Sequence, residues 1–159
     1  MFMKSIQSLC LIQSILMKTD LSNATFIIPI RIESDDRLRN VVTSIAFLVE
    51  NFDTNIIVKE VDKESVFQTE VLPIFEEILE VDLWKNFHHI FERSEEPLFH
   101  RQRVLNEMIA ECDTDIVVNY DCDVVLPMQS YKLAYDGIME GVYDVVYPYG
   151  SGMYQKQVA

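Results

Sequence analysis

Glycine is scarce in this sequence, and its placement argues against two common classes of nucleotide-binding protein. Only four of the 159 residues are glycine, and the first of them is Gly137. No G-x-G-x-x-G therefore follows the first apolar run, and no G-x-x-x-x-G-K-[ST] occurs anywhere. Both motifs need glycine because the backbone must come close to a phosphate, so neither a dinucleotide-binding Rossmann domain nor a P-loop enzyme is expected.

Cysteine and long apolar runs are also rare. The three cysteines, Cys10, Cys112 and Cys122, include no C-x-x-C pair, so the sequence indicates neither a disulfide framework nor a zinc site. A reducing, cytoplasmic compartment fits this pattern. No apolar run of the sequence reaches the ~18 residues that a membrane-spanning helix needs.

Basic residues are outnumbered, since 13 lysines and arginines stand against 26 acidic residues and leave a formal net charge of −13. An acidic surface repels nucleic-acid backbones and anionic lipid headgroups, so we expect neither as a partner. The same charge repels an anionic small ligand. Such a ligand would need a positive group in its site, and a divalent cation is the obvious candidate.

Residues 1–24 are predicted to be an N-terminal extension, either helical or loose. Residues 9–17 are apolar and follow Lys4, but Gln7 and Gln13 interrupt the pattern and no small-residue cleavage site follows. A helix packed on the domain or a loose extension is favoured, while an interfacial anchor or a signal remains open. Membrane association, peripheral and at the inner face, is expected only through this segment.

Residues 25–159 are predicted to form one domain in which strand patterns alternate with helix patterns. The predicted strands are residues 25–30, 55–61, 87–92, 114–119 and 144–149. The predicted helices follow Ser34, span residues 73–80, begin at Pro97 and span residues 131–140. This alternation is typical of βαβ crossovers. We therefore expect an α/β fold with a mostly parallel sheet and helices on both of its faces.

Polar residues cluster where three of the predicted strands end. They are Arg31 and Glu33 after the first strand, Glu60 and Asp62 at the second, and Tyr120, Asp121, Cys122 and Asp123 after the fourth. Ligands bind at the carboxyl ends of strands in an open parallel sheet. Carboxylates that converge there repel one another unless a hard cation lies among them, so we expect a divalent cation at this edge.

The D-x-D spacing of Asp121 and Asp123 carries little information alone, because Asp113 and Asp115 share it. Position separates the two pairs. Asp113 and Asp115 precede the fourth strand and are predicted to be solvated turn residues, whereas Asp121 and Asp123 follow that strand at the ligand edge. A turn with two exposed acids remains the alternative for the second pair.

Three other side chains are not expected to bind the cation. We predict that Cys122 is a buried spacer pointing away from the site, because a thiol suits Mg²⁺ or Mn²⁺ poorly. His88 and His89 are neighbours in a predicted strand, so their side chains point to opposite faces and cannot share one ion.

The sequence resembles family-2 glycosyltransferases of the GT-A fold over residues 25–149. The runs that carry the resemblance are TFIIPI, IIVKE, the R-x-x-x-L-N from Arg101 to Asn106, and TDIVVNYDCDVVLP, in which the D-x-D is the most specific part. The resemblance is closer still to bacterial capsule- and surface-polysaccharide members and to galactosyltransferase-like N-terminal regions. It implies a hexosyltransferase that moves a sugar from a nucleoside-diphosphate sugar, UDP above all, to a glycan or polysaccharide acceptor.

The resemblance also implies roles for individual residues. Pro29, Ile30 and Arg31 match the place where the uridine packs, Glu60 matches the acid that contacts the base, and Asp121 and Asp123 match the D-x-D. In the family the second of these acids ligates Mn²⁺ or Mg²⁺, and the first contacts the ribose or the metal. Arg101 or Arg103 would approach the diphosphate.

Two departures from the family pattern leave points open. Arg31 stands where the family has Tyr or Asn, and E-V-D-K from Glu60 to Lys63 replaces the usual D-D-G-S, so the nucleotide is not fixed. The family's acceptor site and catalytic base have no counterpart in these residues. We therefore expect the base beyond the chain end and the isolated chain to be inactive or incomplete.

Two alternatives remain at this stage. One is a non-catalytic or truncated nucleotide-sugar-binding module, which would bind ligand without turnover. The other is a haloacid-dehalogenase-like phosphohydrolase, in which Asp121 would attack phosphorus and Asp123 would act as acid and base. The late position of the motif argues against the second alternative, because such a motif belongs on the first strand.

Overall fold

A computed structural model describes residues 18–79 and 86–149 of the chain. The strands are β1 (Thr19–Ile30), β2 (Phe52–Asp62), β3 (Phe87–Arg93) and β4 (Ile116–Asn119). The helices are α1 (Asp35–Asn51), α2 (Leu72–Ile78), α3 (Arg101–Ala110) and α4 (Met128–Met139), and a π-helical turn (Phe67–Val71) leads into α2. Within the described residues no helix is long and apolar enough to span a membrane.

The four strands form one parallel sheet in the order β3-β2-β1-β4. Alternate residues of β1 face opposite sides of this sheet, as strand geometry requires. Phe26 and Ile28 belong to the larger core, which packs under α1, α2 and α4. Ile27 belongs to a smaller core under α3. Helices therefore cover both faces, and the predicted α/β fold is confirmed.

Helix α1 shows why the second element forms where the sequence places it. The Ser34 side chain accepts a hydrogen bond from the Arg37 backbone N–H, which satisfies one of the free donors at the helix start. Asp35 and Asp36 occupy the first turn, where carboxylates favour the helix dipole. Val41, Ile45, Leu48 and other apolar residues at helical spacing are buried against the sheet.

Strand β1 begins at Thr19, six residues before its predicted start. Leu21 and Ala24 are buried in the larger core, although polar residues surround them in the sequence. The pairing of β1 with β2 also changes register between Asp20 and Thr25. The apolar alternation that marks a strand is broken at this irregularity, so the sequence pattern suggests an extension here. The remainder of the predicted extension, residues 1–17, lies outside the described residues.

The predicted fifth strand is wrong, because the described part of the chain forms no strand over residues 144–149. Burial still alternates along this segment: Val146 and Pro148 are half-buried, while Val145 and Tyr147 are exposed. A ladder with β4 has little support, however, since β4 is only four residues long and Pro148 has no N–H to donate.

Candidate functional site

The strand order reverses between β1 and β4. From β1 the chain moves outward to β2 and β3, and it then returns to place β4 on the other side of β1. Crevices outside the carboxyl ends of the two strands at such a reversal are where open α/β sheets bind ligands. Asn119 pairs with Ile27, and the Tyr120 backbone N–H extends this pairing by donating to the Ile27 carbonyl. The chain therefore leaves β4 at Asp121, beside the end of β1.

Asp121 lies in a small polar cluster with Asn119 and Arg101. The Arg101 guanidinium donates through Nη2 to Oδ1 of Asp121 at 2.5 Å and to Oδ1 of Asn119 at 3.1 Å. Arg101 is the first residue of α3, so the start of that helix is joined to the end of β4. The Arg101 and Asp121 side chains are 40% and 56% exposed, so a ligand in solvent can reach both.

A buried pair of tyrosines shapes the turn that carries the two acids. The Tyr120 hydroxyl lies 3.2 Å from that of Tyr131 and donates to the Val124 carbonyl. The Tyr131 hydroxyl in turn accepts from the Leu126 N–H at 3.1 Å. Burial raises the pKa of Tyr120 far above its ordinary value, so its hydroxyl serves as a fixed hydrogen-bonding group.

Cys122 and Asp123 occupy opposite sides of this turn. Cys122 is half-buried and packs against the larger core, and burial raises the pKa of its thiol. Cys122 thus packs towards the core, although it is half-buried and not fully buried as predicted. Asp123 is exposed, as Asp121 is. The two carboxylates thus stand on the solvent side of the sheet edge.

Asp113 and Asp115 lie at the other end of β4 and are exposed, as predicted. The Asp115 carboxylate accepts a hydrogen bond from the Asn23 side-chain amide at 2.7 Å. Because β4 runs parallel to β1, this end of the strand is remote from the carboxyl edge. Only the second D-x-D lies where ligands bind in such sheets.

Arg31 is buried and uses its guanidinium inside the protein. It donates to the backbone carbonyls of Val61 at 2.9 Å, Pro97 at 3.0 Å and Glu96 at 3.2 Å. Its guanidinium carbon also lies 5.6 Å from the centre of the Phe99 ring, a cation–π contact. Arg31 therefore fixes the loop that leads into α3 and thereby positions Arg101. Pro29 and Ile30, beside it in β1, pair with Lys59 and Glu60 of β2.

We expect Arg31→Ala to lower the free energy of unfolding by about 2–4 kcal/mol, because three backbone carbonyls, of which that of Val61 is buried, would lose a charged donor. Urea unfolding followed by circular dichroism measures the loss. Arg39→Ala is the matched control, since among residues 18–79 and 86–149 Arg39 pairs only with Asp36, at an exposed position, and its loss should cost less than about 0.5 kcal/mol. Equal losses for the two variants would show that the Arg31 bonds do not fix the loop.

Glu60 is fully buried and is also committed to partners within the protein. Its Oε2 accepts from the Ser65 hydroxyl at 2.5 Å and its Oε1 accepts from the Phe67 N–H at 3.1 Å. The His89 Nε2 lies 3.4 Å from Oε2, and the His89 ring stacks on Phe67 with centroids 4.3 Å apart. Glu60 thus caps the turn before α2, and the described residues bury its carboxylate completely.

The pKa of Glu60 reflects these contacts. Burial alone raises it, but the interactions with His89, Ser65 and the Phe67 N–H together outweigh burial and lower the pKa overall. His89 is buried against this carboxylate while His88 is exposed. The prediction that the two histidines point to opposite faces is confirmed.

Arg103 lies away from the D-x-D cluster, although it is only two residues from Arg101. Its guanidinium donates to Glu92 and Glu107, each at 2.7 Å. Lys59 contacts the same two glutamates at 3.3 and 2.6 Å. These four residues form an ion-pair network that joins α3 to β2 and β3. Of the two arginines considered for a diphosphate, Arg101 alone contacts Asp121.

The donor set at the D-x-D is small. Among the described residues no group of three or more His, Cys, Asp or Glu side chains is close enough to hold a metal ion. Asp121 and Asp123 nevertheless offer hard oxygen donors, and Mg²⁺ is often held by one or two carboxylates together with substrate phosphates and water. The residues therefore fit a cation whose remaining ligands come from a phosphate and from solvent.

Asn119 belongs to this cluster although the sequence motifs do not predict it. It is the last residue of β4 and stands two residues before Asp121, and Arg101 contacts both side chains. That spacing is the signal by which the sequence could identify it.

No protein-family model matches the chain, and no curated protein matches it either.

Proposed function

We propose that this chain is the donor-binding part of a metal-dependent glycosyltransferase of the GT-A type. Its substrate would be a nucleoside-diphosphate sugar, with UDP as the favoured nucleotide and a glycan or polysaccharide as acceptor. One observation carries the proposal: Asp121 and Asp123 follow the strand at the reversal of the sheet, exposed and beside Arg101. Bacterial capsule or surface-polysaccharide synthesis is the setting that the resemblance implies.

The chemistry of the cluster supports this proposal. A bound Mn²⁺ or Mg²⁺ would neutralise the charge that develops on the leaving diphosphate. Asp123 and Asp121 are the residues that would hold it. Arg101 supplies a planar guanidinium suited to phosphate oxygens. With a net charge of −13, the protein needs these positive groups to hold an anionic donor.

The observed contacts narrow the roles of the other candidate residues. Arg31 supports the site by fixing the loop before α3, because its donors are taken by backbone carbonyls. Glu60 supports it by capping the turn before α2. Under this proposal the nucleoside lies over the carboxyl end of β1 and the diphosphate reaches towards Arg101.

We expect UDP to bind with a dissociation constant in the micromolar to millimolar range only when Mn²⁺ or Mg²⁺ is present. The reason is that two carboxylates and one arginine at an exposed edge do not offset the charge of a diphosphate without a cation. Isothermal titration calorimetry with excess Mn²⁺, and again with EDTA, measures this dependence. GDP in parallel tests the choice of nucleotide.

Binding of equal strength in EDTA would contradict the proposal. Hydrolysis of a chromogenic phosphate ester that is lost in Asp121→Asn would instead support a phosphohydrolase, since a donor-binding glycosyltransferase domain has no reason to cleave that ester. If the chain hydrolyses the ester no faster than background and still binds UDP in the presence of metal, the proposed function is the better account.

A further inference from the structure

The ion pair between Arg101 and Asp121 places a cation on one of the two carboxylates that the proposed function assigns to a metal. The contact is short, at 2.5 Å, and the same guanidinium nitrogen also reaches Asn119. A carboxylate that already carries an arginine attracts a divalent cation less strongly, because the guanidinium repels the incoming charge. The pair therefore opposes metal binding in the absence of another ligand.

The same pair is easily exchanged. Both side chains are substantially exposed, and exposed ion pairs contribute little to stability. A guanidinium has five N–H donors, and Arg101 uses a single nitrogen for its contacts with the described residues. A diphosphate offers more negative charge than Asp121 does, and its oxygens match the guanidinium fork. Transfer of Arg101 from Asp121 to phosphate is therefore favourable.

We propose that Arg101 is a positioning residue that couples binding of the diphosphate to binding of the cation. Without ligand it holds Asp121, and when a diphosphate arrives it moves to the phosphate oxygens and releases Asp121 to the metal. This inference rests on the proposed function. By linkage, the cation then raises the affinity for the diphosphate by the same factor as the diphosphate raises the affinity for the cation.

Arg103 provides a matched control on the same helix. It lies two residues from Arg101 and is equally an arginine of the first turn, but its guanidinium is held by Glu92 and Glu107. Replacing it removes a positive charge of the same kind from the same region without touching Asp121. Any effect that arises from net charge alone should therefore appear in Arg103→Met as well.

The test compares wild type, Arg101→Met, Arg101→Lys and Arg103→Met. Electron paramagnetic resonance of free Mn²⁺ gives the metal affinity without nucleotide, and calorimetry gives the UDP affinity with and without saturating Mn²⁺. We expect Arg101→Met to bind Mn²⁺ alone about 2–5-fold more tightly than wild type, the range that loss of an exposed pair allows. It should bind UDP with Mn²⁺ about tenfold or more weakly, and Arg103→Met should match wild type.

The coupling factor between metal and nucleotide separates the possible outcomes. It should fall several-fold in Arg101→Met, where only the coupling from the phosphate's own contact with the cation is left, and take an intermediate value in Arg101→Lys, which keeps the charge but loses the planar fork. Wild-type coupling, or weaker Mn²⁺ binding, in Arg101→Met would overturn this inference while leaving the proposed function standing. If wild type binds neither Mn²⁺ nor UDP, the proposed function fails and the coupling role fails with it.

Discussion

Glu60→Ala is expected to lose about 3–5 kcal/mol of unfolding free energy, the range seen when one partner of a buried charged cluster is removed. The reason lies in three groups that depend on this carboxylate. The Ser65 hydroxyl and the Phe67 N–H would lose their acceptor, and the His89 imidazole would lose its neighbouring charge. Each is buried, so water cannot replace the lost partner without opening the structure. Urea unfolding at pH 7 measures the difference.

Glu60→Gln separates the shape of the side chain from its charge. An amide oxygen can still accept from the Phe67 N–H, so the loss should be clearly smaller than for alanine. The wild-type carboxylate has a lowered pKa in the folded state, so its contribution is fully present above the ordinary glutamate value of about 4.5. It is lost as the pH falls through the lower, folded-state value. We therefore expect wild-type stability to drop below about pH 4.5 and this part of the drop to be absent in Glu60→Gln.

His88→Ala serves as the control for the neighbouring position, because His88 is exposed on the opposite face of β3. Its substitution should change the unfolding free energy by less than about 0.5 kcal/mol. A loss in Glu60→Ala no larger than in this control would show that the buried carboxylate is not a structural cap. Glu60 would then again be a candidate for contact with a nucleotide.

Local pattern predicts most of this fold because most of its elements have a simple environment. The centre of strand β2, residues 56–58, is a buried apolar run, and α1 has one apolar stripe after a side-chain cap. The errors occur where the spacing of buried residues along the chain does not match the pairing between strands. At the start of β1 a register shift hides a real strand, and at residues 144–149 an alternation of burial has no ladder to support it. Pairing depends on the neighbouring strand, which local pattern does not describe.

The candidate site, like the fold, is predicted only in part by local sequence pattern. The direction of β4 follows from the alternation of strands and helices, and it places Asp121 and Asp123 at the carboxyl edge. The internal use of Arg31 and Glu60 does not follow, because their partners come from other elements. Arg31 bonds to carbonyls more than 60 residues ahead, and Glu60 meets His89 from the adjacent strand. A polar residue at a strand end is therefore an equally good sign of a ligand contact and of a buried cap.

Asp123→Asn is expected to weaken Mn²⁺-dependent UDP binding by at least about 100-fold. This loss is larger than the loss of metal affinity that usually follows mutation of a residue hydrogen-bonded to a metal ligand. An amide keeps the shape of the side chain but removes the negative charge that a hard cation requires. Because Asp123 is exposed, the fold should be unaffected, with the free energy of unfolding within about 0.5 kcal/mol of wild type. Calorimetry with Mn²⁺ gives the affinity, and urea unfolding verifies the fold.

Asp115→Asn is the matched control for that experiment, since it makes the same chemical change on an exposed acid of a D-x-D at the opposite end of β4. Asp115 accepts a hydrogen bond from Asn23, and asparagine retains an oxygen that can accept it, so this variant should bind UDP with wild-type affinity. The comparison removes net charge as an explanation, because both variants change the net charge of the protein by the same amount. If both lose binding equally, the effect arises from the overall field of the protein. If neither loses binding, Asp123 does not hold the cation, and the edge between β1 and β4 is not the donor site.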